Sequence, residues 1–338
     1  TNPAQAIKYW QQVRVLLQQQ PRTPEIDSLR IFANAQIAWL GWREGMTADV
    51  AQEYTVEALD WARDANDEMI PILLFVDGRI TVAGGGAADT YVDRVQEALS
   101  LLQREKNAGG RIATLNCALS QAYGCAGLLN DALAASNAAM QGLSQVSSFD
   151  HQFLGYNVDH WVMSLRGRIL VRLGRFAEAE QCLDMLLQIE QTLLDPTVRF
   201  IPHFGYVDLA WCRGDTELAE RHASRVSEIA CKTEIPYLQV CAFACEGTAK
   251  SIAKDFAGAE REFSEALKFL RKTSAVMEDE SEILASLADC HYQMGHPRRA
   301  QATAKEAIEL AQRRCTRLPE CRASITFGAA LLAEYGST

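Results

Sequence analysis

The densest group of side chains able to move a proton or hold a cation is Glu278, Asp279, Glu280 and Glu282. These carboxylates open a predicted helix, where negative charge is favoured by the backbone dipole, and that placement accounts for them without any chemistry. Six histidines could serve as bases or ligands, but His151, His160, His203, His222, His291 and His296 are scattered along the chain. His291 and His296 lie five apart across a turn, and neither an H-E-x-x-H nor a G-x-S-x-G motif occurs. Gly84-Gly85-Gly86 lacks the lysine and hydroxyl that would hold phosphate and magnesium, and it reads as a flexible connection before a helix near Asp89. Of ten cysteines, Cys117, Cys182, Cys212, Cys241, Cys245 and Cys290 fall in predicted helices. Cys241 and Cys245 share a helical face, but no second pair with zinc spacing accompanies them, so buried reduced thiols are expected. With no base, nucleophile and stabiliser assembled, the region is read as non-catalytic, with no metal and no cofactor.

A different chemistry is open to Trp161, Arg168, Arg172, Phe204, Asp208, Trp211, Asp289 and Tyr292. Aromatics mixed with charges grip a peptide or a sugar by stacking and bidentate hydrogen bonds. They do so only if one surface carries them all, and the repeat that would build such a surface is visible. Ala179, Ala219, Ala259 and Ala300 follow one another at 40, 40 and 41 residues, and each opens an amphipathic helix after a tight turn. Twelve residues before them stand Gly167, Val207, Gly247 and Ala288, mostly small, and a small residue on the first helix facing an alanine on the second lets two antiparallel helices pack closely. Gly174, Gly214 and Gly295 lie five before their alanines, where glycine suits the left-handed end of a helix, and Lys254 takes that place in the third unit. Upstream, Ser120, Gly127 and Ala132 keep the same offsets, but the step to the next unit is 47, which implies an insertion. Leu183 and Leu186, Phe263 and Ala266, Ala304 and Ala307 repeat an apolar face four and seven beyond the alanine.

The predicted fold is therefore all-α: a right-handed superhelical solenoid of antiparallel helical hairpins, extended tetratricopeptide-like repeats with a period nearer 40 than 34, an armadillo-like or HEAT-like array being the lesser alternative. One solenoid is expected over 1–338, with irregular repeats in 1–110, a repeat in 111–144, an insertion in 145–160 and regular repeats of about 40 residues in 161–338. First helices of such hairpins line the concave side, which is what places the eight aromatic and charged residues there. The large aromatics among them can instead pack between hairpins. In the N-terminal third, Thr23 and Pro24 start a helix, Gly45-Met46-Thr47 separates two more and Asn66-Asp67 ends the next.

The 338 residues carry a net charge of −10, which argues against a nucleic-acid partner. No apolar run approaches the 18 or so residues of a membrane span. Reduced thiols and the lack of a visible signal peptide fit a cytoplasmic protein. The chain opens at Thr1 without a methionine, so the expectation is a piece of a longer protein.

The N-terminal order AIKYWQQ, LLQQQPRTPE and GMTADVAQEYTVEALDWARDAND resembles the start of the tetratricopeptide-like region of large bacterial signalling proteins, in which a class III adenylate or guanylate cyclase precedes a STAND-type ATPase. WVMSLRGRILVRLGRFAEAEQCL, from Trp161 to Leu183, and the stretch from Glu278 to Leu332 are similar to the same region. The resemblance implies a sensor or protein-interaction module that regulates attached nucleotide-handling domains, its partner being another protein or the upstream part of the same chain, with self-association possible. The alternative is a sugar or metabolite sensor, as in STAND transcription regulators. An enclosed aromatic pocket of a few hundred Å³ would favour the sensor, and an open apolar-rimmed groove the interaction module.

Overall fold

A computed structural model of the chain describes residues 3–103, 105, 107–192, 195–233 and 235–336. Among these, regular structure is entirely helical. After α1 (Pro3–Gln18), helices pair antiparallel: α2 (Pro24–Gly41) with α3 (Ala48–Ala65), α4 (Ile70–Ala83) with α5 (Ala88–Leu102), and α6 (Gly109–Ala126) with α7 (Leu129–Gly142). The short α8 (Ser148–Leu154) precedes α9 (Val158–Arg172) and α10 (Phe176–Ile189), and α11 (Pro196–Arg199) precedes α12 (Ile201–Arg213) and α13 (Thr216–Cys231). Then come α14 (Pro236–Ile252) with α15 (Phe256–Thr273), α16 (Glu280–Gln293) with α17 (Pro297–Arg314), and a last helix, α18 (Arg317–Tyr335). None of these helices is long and apolar enough to cross a membrane.

One turn is built repeatedly. Gly127, Gly174, Gly214 and Gly295 have positive φ, and Lys254 adopts the same left-handed conformation at φ 63°. In each case the next residue's N–H reaches back to a carbonyl in the preceding helix, as from Arg175 to Leu170 and from Asp255 to Lys250, both at 2.9 Å. Asp215 and Asp255 then cap the following helices by accepting from the backbone N–H of Leu218 at 3.0 Å and Gly258 at 2.9 Å. The turn thus ends one helix and starts the next within three residues.

The packing register differs from the simplest reading in one respect. A Cβ added to Gly167 would meet Leu183 at 2.7 Å, and one added to Gly247 would meet the Phe263 ring at 2.7 Å. The small residue therefore faces the large apolar residue four beyond the alanine, because a helical side chain leans back over the preceding turn. Ser120 is the exception, donating at 2.8 Å to the carbonyl of its own Ala132.

Apolar cores run along the solenoid, one from Ile31 to Val162, the others overlapping from Ala132 to Ala323. The segment 145–160 carries α8, whose Phe153 and Leu154 are buried against α2. Trp39 Nε1 donates to the Leu154 carbonyl and Gln36 Nε2 to that of Phe153, each at 3.1 Å. Arg43 Nη2 reaches Asp195 at 2.5 Å.

A simple solenoid contacts only its neighbours, but here the superhelix coils back on itself. Arg79 of α4 pairs at 2.6 Å with Glu278, 199 residues later, both almost fully buried. Arg314 donates from Nε to the Gly85 carbonyl at 3.0 Å, from Nη2 to Glu280 at 2.8 Å, and also to the Met277 carbonyl. Arg317 donates to the Ala126 carbonyl at 3.0 Å. The glycine run read as a flexible connection is therefore a docking point: Gly85, at φ 90°, leaves room where a Cβ would lie 2.8 Å from Arg314.

All ten cysteines are free. Cys117, Cys182, Cys241, Cys245 and Cys290 are buried, and burial pushes their thiols up. Cys212 corrects the expectation of burial: it is exposed, because its side of α12 faces a groove.

Two histidines missed as a pair come together between α12 and α13. His203 Nδ1 lies 2.8 Å from His222 Nδ1, and His203 Nε2 lies 3.4 Å from Glu190. An Nδ1–Nδ1 contact needs one ring to accept from the other, so at least one of the two is neutral. Burial lowers the pKa of both; for His222, burial, then His203 and Arg221, bring it down to about 4 against Glu190. Glu190, Arg199 and Arg225 are the other charges facing His203. The unfolded chain takes up protons on these rings below about pH 6.5 while the folded chain resists, so stability is lost as pH falls from about 6.5 toward 4. Melting temperatures between pH 7.5 and 5 should therefore fall, and His222→Gln should flatten that fall; an equal slope in the variant would refute the assignment.

Candidate functional site

Along α9, α12, α14, α16 and α18, residues spaced three and four apart turn toward a common groove. They are Arg168, Val171 and Arg172, then Phe204, Asp208, Trp211 and Cys212, then Ala244, Thr248 and Ser251. From α16 come Glu282, Ile283, Ser286 and Asp289, and from α18 Leu318, Cys321 and Arg322. This spacing is one face of a helix, so the groove is the shared inner face of five first-position helices. Phe263 and Asp279 complete it, and its volume is about 280 Å³.

The charges inside are mostly paired. Arg168 Nε donates to Asp208 at 3.0 Å, 40 residues along, and its guanidinium lies 3.9 Å from the centre of the Phe204 ring. Burial alone would lower the Arg168 pKa, but Asp208, Asp279 and Glu282 outweigh it and raise it. Arg172 reaches the two Glu282 oxygens at 3.3 and 3.5 Å. Arg322 lies 3.5 Å from the same carboxylate, 3.3 Å from Ser286 Oγ and 4.7 Å from the centre of Trp211, which is 48% exposed. Burial would raise the Glu282 pKa, and Arg172, Arg322 and Arg168 together hold it below the usual range.

Asp279 is in the opposite state. It has no side-chain hydrogen-bond or ion-pair partner among the described residues, and burial, reinforced by Glu278 and Glu282, pushes it up to about 7 despite Arg168 and Arg172. It also borders a second cavity of about 110 Å³, which shares Arg168, Arg172 and Glu282 with the groove and reaches Arg79 and Glu278.

The remaining members of the carboxylate cluster have structural work. Glu278 pairs with Arg79, and Glu280 with Arg271 at 2.7 Å and Arg314 at 2.8 Å. No group of three His, Cys, Asp or Glu side chains able to hold a metal occurs among the described residues.

Of the eight residues expected on the concave surface, Arg168, Arg172, Phe204, Asp208, Trp211 and Asp289 line the groove together. Trp161 does not. It is 4% exposed, packed 5.8 Å from both the Phe75 and Tyr156 rings, because α4 and the segment after α8 cover the start of α9. Tyr292 is half-buried on α16 outside the groove lining. Thr248 stands one residue after Gly247, as Arg168 and Asp208 stand after Gly167 and Val207, so the register already pointed to it. Asp279, Cys321 and Arg322 carried no such signal, since they lie in a turn and in the helix after the last repeated alanine.

A tetratricopeptide repeat family profile matches residues 160–185, which is α9, its turn and most of α10. Among solved structures, a Rap protein complexed with Competence and Sporulation Factor is 14% identical over 92% of this chain and 87% of its own, with a TM-score of 0.60. A tetratricopeptide repeat protein from Parabacteroides merdae is 14% identical over 89% of this chain and 99% of its own, at a TM-score of 0.49. The apo form of RapI is 11% identical over 89% and 82%, also at 0.49. Comparison with curated proteins gives no sequence match. Likeness at such identities is a likeness of fold: an all-α solenoid of tetratricopeptide-like hairpins.

Proposed function

We propose that this region is a non-catalytic regulatory solenoid that captures a peptide segment of a partner, or of its own parent protein, in the groove between α9 and α18. The observation that carries this reading is the convergence of aromatic and paired charged side chains from α9, α12, α16 and α18 onto one concavity. Phe204 and Trp211 offer flat surfaces, and Arg168, Asp208 and Glu282 offer oriented donors and acceptors at low cost in side-chain entropy, since their partners already hold them. The Rap protein of the same fold was solved in complex with a factor, which supports a ligand-holding role for such a solenoid. The resemblance of the N-terminal residues supports the further step, that occupancy is passed to an attached STAND-type ATPase or nucleotide cyclase.

A sugar or metabolite sensor is the second reading, favoured by the groove volume of about 280 Å³, which is close to the size of small-molecule sites. The two separate by experiment. Peptide display on the whole chain, counter-selected on the Phe204→Ala/Asp208→Arg variant, is expected to return a consensus that binds the parent at least about tenfold more tightly, the loss typical of removing central interface residues. No consensus, or equal binding to a variant that melts normally, would sink the peptide reading; a metabolite that raises the melting temperature instead would establish the sensor.

A further inference from the structure

We propose that the groove selects a ligand carrying a cationic side chain, the ammonium of lysine or the guanidinium of arginine, which passes Asp279 and points toward Glu278. This rests on the groove being the peptide site, and it names the chemistry that the site would recognise.

The lining holds three arginines and four carboxylates: Arg168, Arg172 and Arg322 against Asp208, Asp279, Glu282 and Asp289. Asp208 and Glu282 already engage all three arginines. Asp279 has no partner, and Asp289 accepts only a long contact from Gln293 Nε2 at 3.4 Å. The carboxylates left without an arginine are Asp279 and Asp289, and of the two only Asp279 also borders the adjoining cavity.

A second observation lies just beyond. Glu278 bonds Arg79 through one oxygen, but its Oε2 is buried without any hydrogen-bond partner, in a side chain only 9% exposed. Glu278 lines the cavity of about 110 Å³ that adjoins the groove at Asp279. A buried carboxylate oxygen with no donor is costly, and a ligand N–H would relieve it. Arg79 Nη1 of the same pair is also buried without a partner; its side chain lies over the Trp42 ring at 4.5 Å and borders both this cavity and a separate aromatic one. A cationic side chain long enough to pass Asp279 finds a carboxylate at each end of the passage. The Asp279 carboxyl is shifted up first by burial and then by Glu278 and Glu282.

The turn that presents Asp279 is held in place. Ser274 and Val276 have φ of 53° and 58°, a costly conformation for a β-branched residue, which persists only where the surroundings impose it. Arg314 holds the Met277 carbonyl and Arg79 holds Glu278, so the backbone on the N-terminal side of Asp279 is clamped at two adjacent residues.

The test is a calorimetric cycle on the whole chain. Display-selected peptides are titrated as selected and with each Lys or Arg replaced by norleucine, against the parent and against Asp279→Asn; agmatine and inorganic phosphate are titrated alone. The expected result is that one basic residue recurs, that its replacement weakens binding to the parent by about 10- to 100-fold, as for a charged hydrogen bond, and that the loss nearly vanishes in Asp279→Asn. Selected peptides that lack a basic residue, or an equal loss in both proteins, would overturn the inference while leaving the groove reading intact. If selection returns no peptide, the groove reading fails, and agmatine decides alone: binding abolished by Asp279→Asn upholds the cation site, and no binding, or phosphate in its place, overturns it. Should Asp279→Asn not melt as the parent does, Asp279→Ser takes its place.

Discussion

Arg79→Met should lower the stability of this protein by about 3–5 kcal/mol, the usual consequence of removing one partner from a buried ion pair. Glu278 would remain with its carboxylate 9% exposed and with no ion-pair partner among the described residues, while methionine fills much of the same volume. The position magnifies the effect, since α4 is buried along almost its whole length. Arg79 also joins the early helices to the turn before α16, and its loss should separate the unfolding of the two ends. Urea denaturation followed by tryptophan fluorescence and by far-ultraviolet dichroism would show a lower midpoint and transitions that no longer coincide. The double replacement Arg79→Met/Glu278→Leu should recover most of the loss, since burying two apolar groups in place of a pair is often neutral. An unchanged midpoint in Arg79→Met would show that the closure contributes nothing.

Leu183→Ala should cost about 2–5 kcal/mol by transfer and cavity terms, toward the upper end of that range. Leu183 is fully buried, and glycines approach it from both sides: a Cβ added at Gly167 or Gly205 would lie 2.7 Å from its side chain. The helices α9, α10 and α12 therefore meet at this one residue, and backbones already in close approach cannot move in to fill the void. The same calculation predicts that Leu183→Met, similar in volume, costs less than about 1.5 kcal/mol. Denaturant midpoints of the two variants would decide it, and equal destabilisation would mean that the register of small residues around Leu183 has been misread.

Much of the fold follows from local rules. The alanine register, the left-handed turn residues and the apolar positions four and seven beyond each alanine are set by helix geometry, which a single sequence displays. Even Lys254, a lysine in a glycine's place, adopts the turn conformation that its neighbours imply. The register also carried six residues into one groove, because positions 40 apart in a solenoid stack on one another. Its failure at Trp161 has a different cause: Phe75 of α4 and Tyr156 in the segment after α8 cover it, and the period of 40 is blind to both. The coil-back is different in kind. Nothing in the spacing of Arg79 and Glu278, or of Gly85 and Arg314, distinguishes them from surface charges and a loose glycine run, because their contact depends on the accumulated rotation of every hairpin between them. Asp279 was legible only as one of a cluster at a helix start, and what separates it from Glu278, Glu280 and Glu282 is that each of those has an arginine.

The central claim is that the inner face of α9, α12, α16 and α18 is where a ligand is held. Amide hydrogen exchange of the whole chain, with and without a display-selected peptide at saturation, tests it most directly. The groove account predicts added protection in α9, α12, α16, α18 and the turn at Met277–Asp279, with α10, α13 and α17 on the outer side unchanged. Protection confined to those outer helices, or to α1–α3, would contradict it.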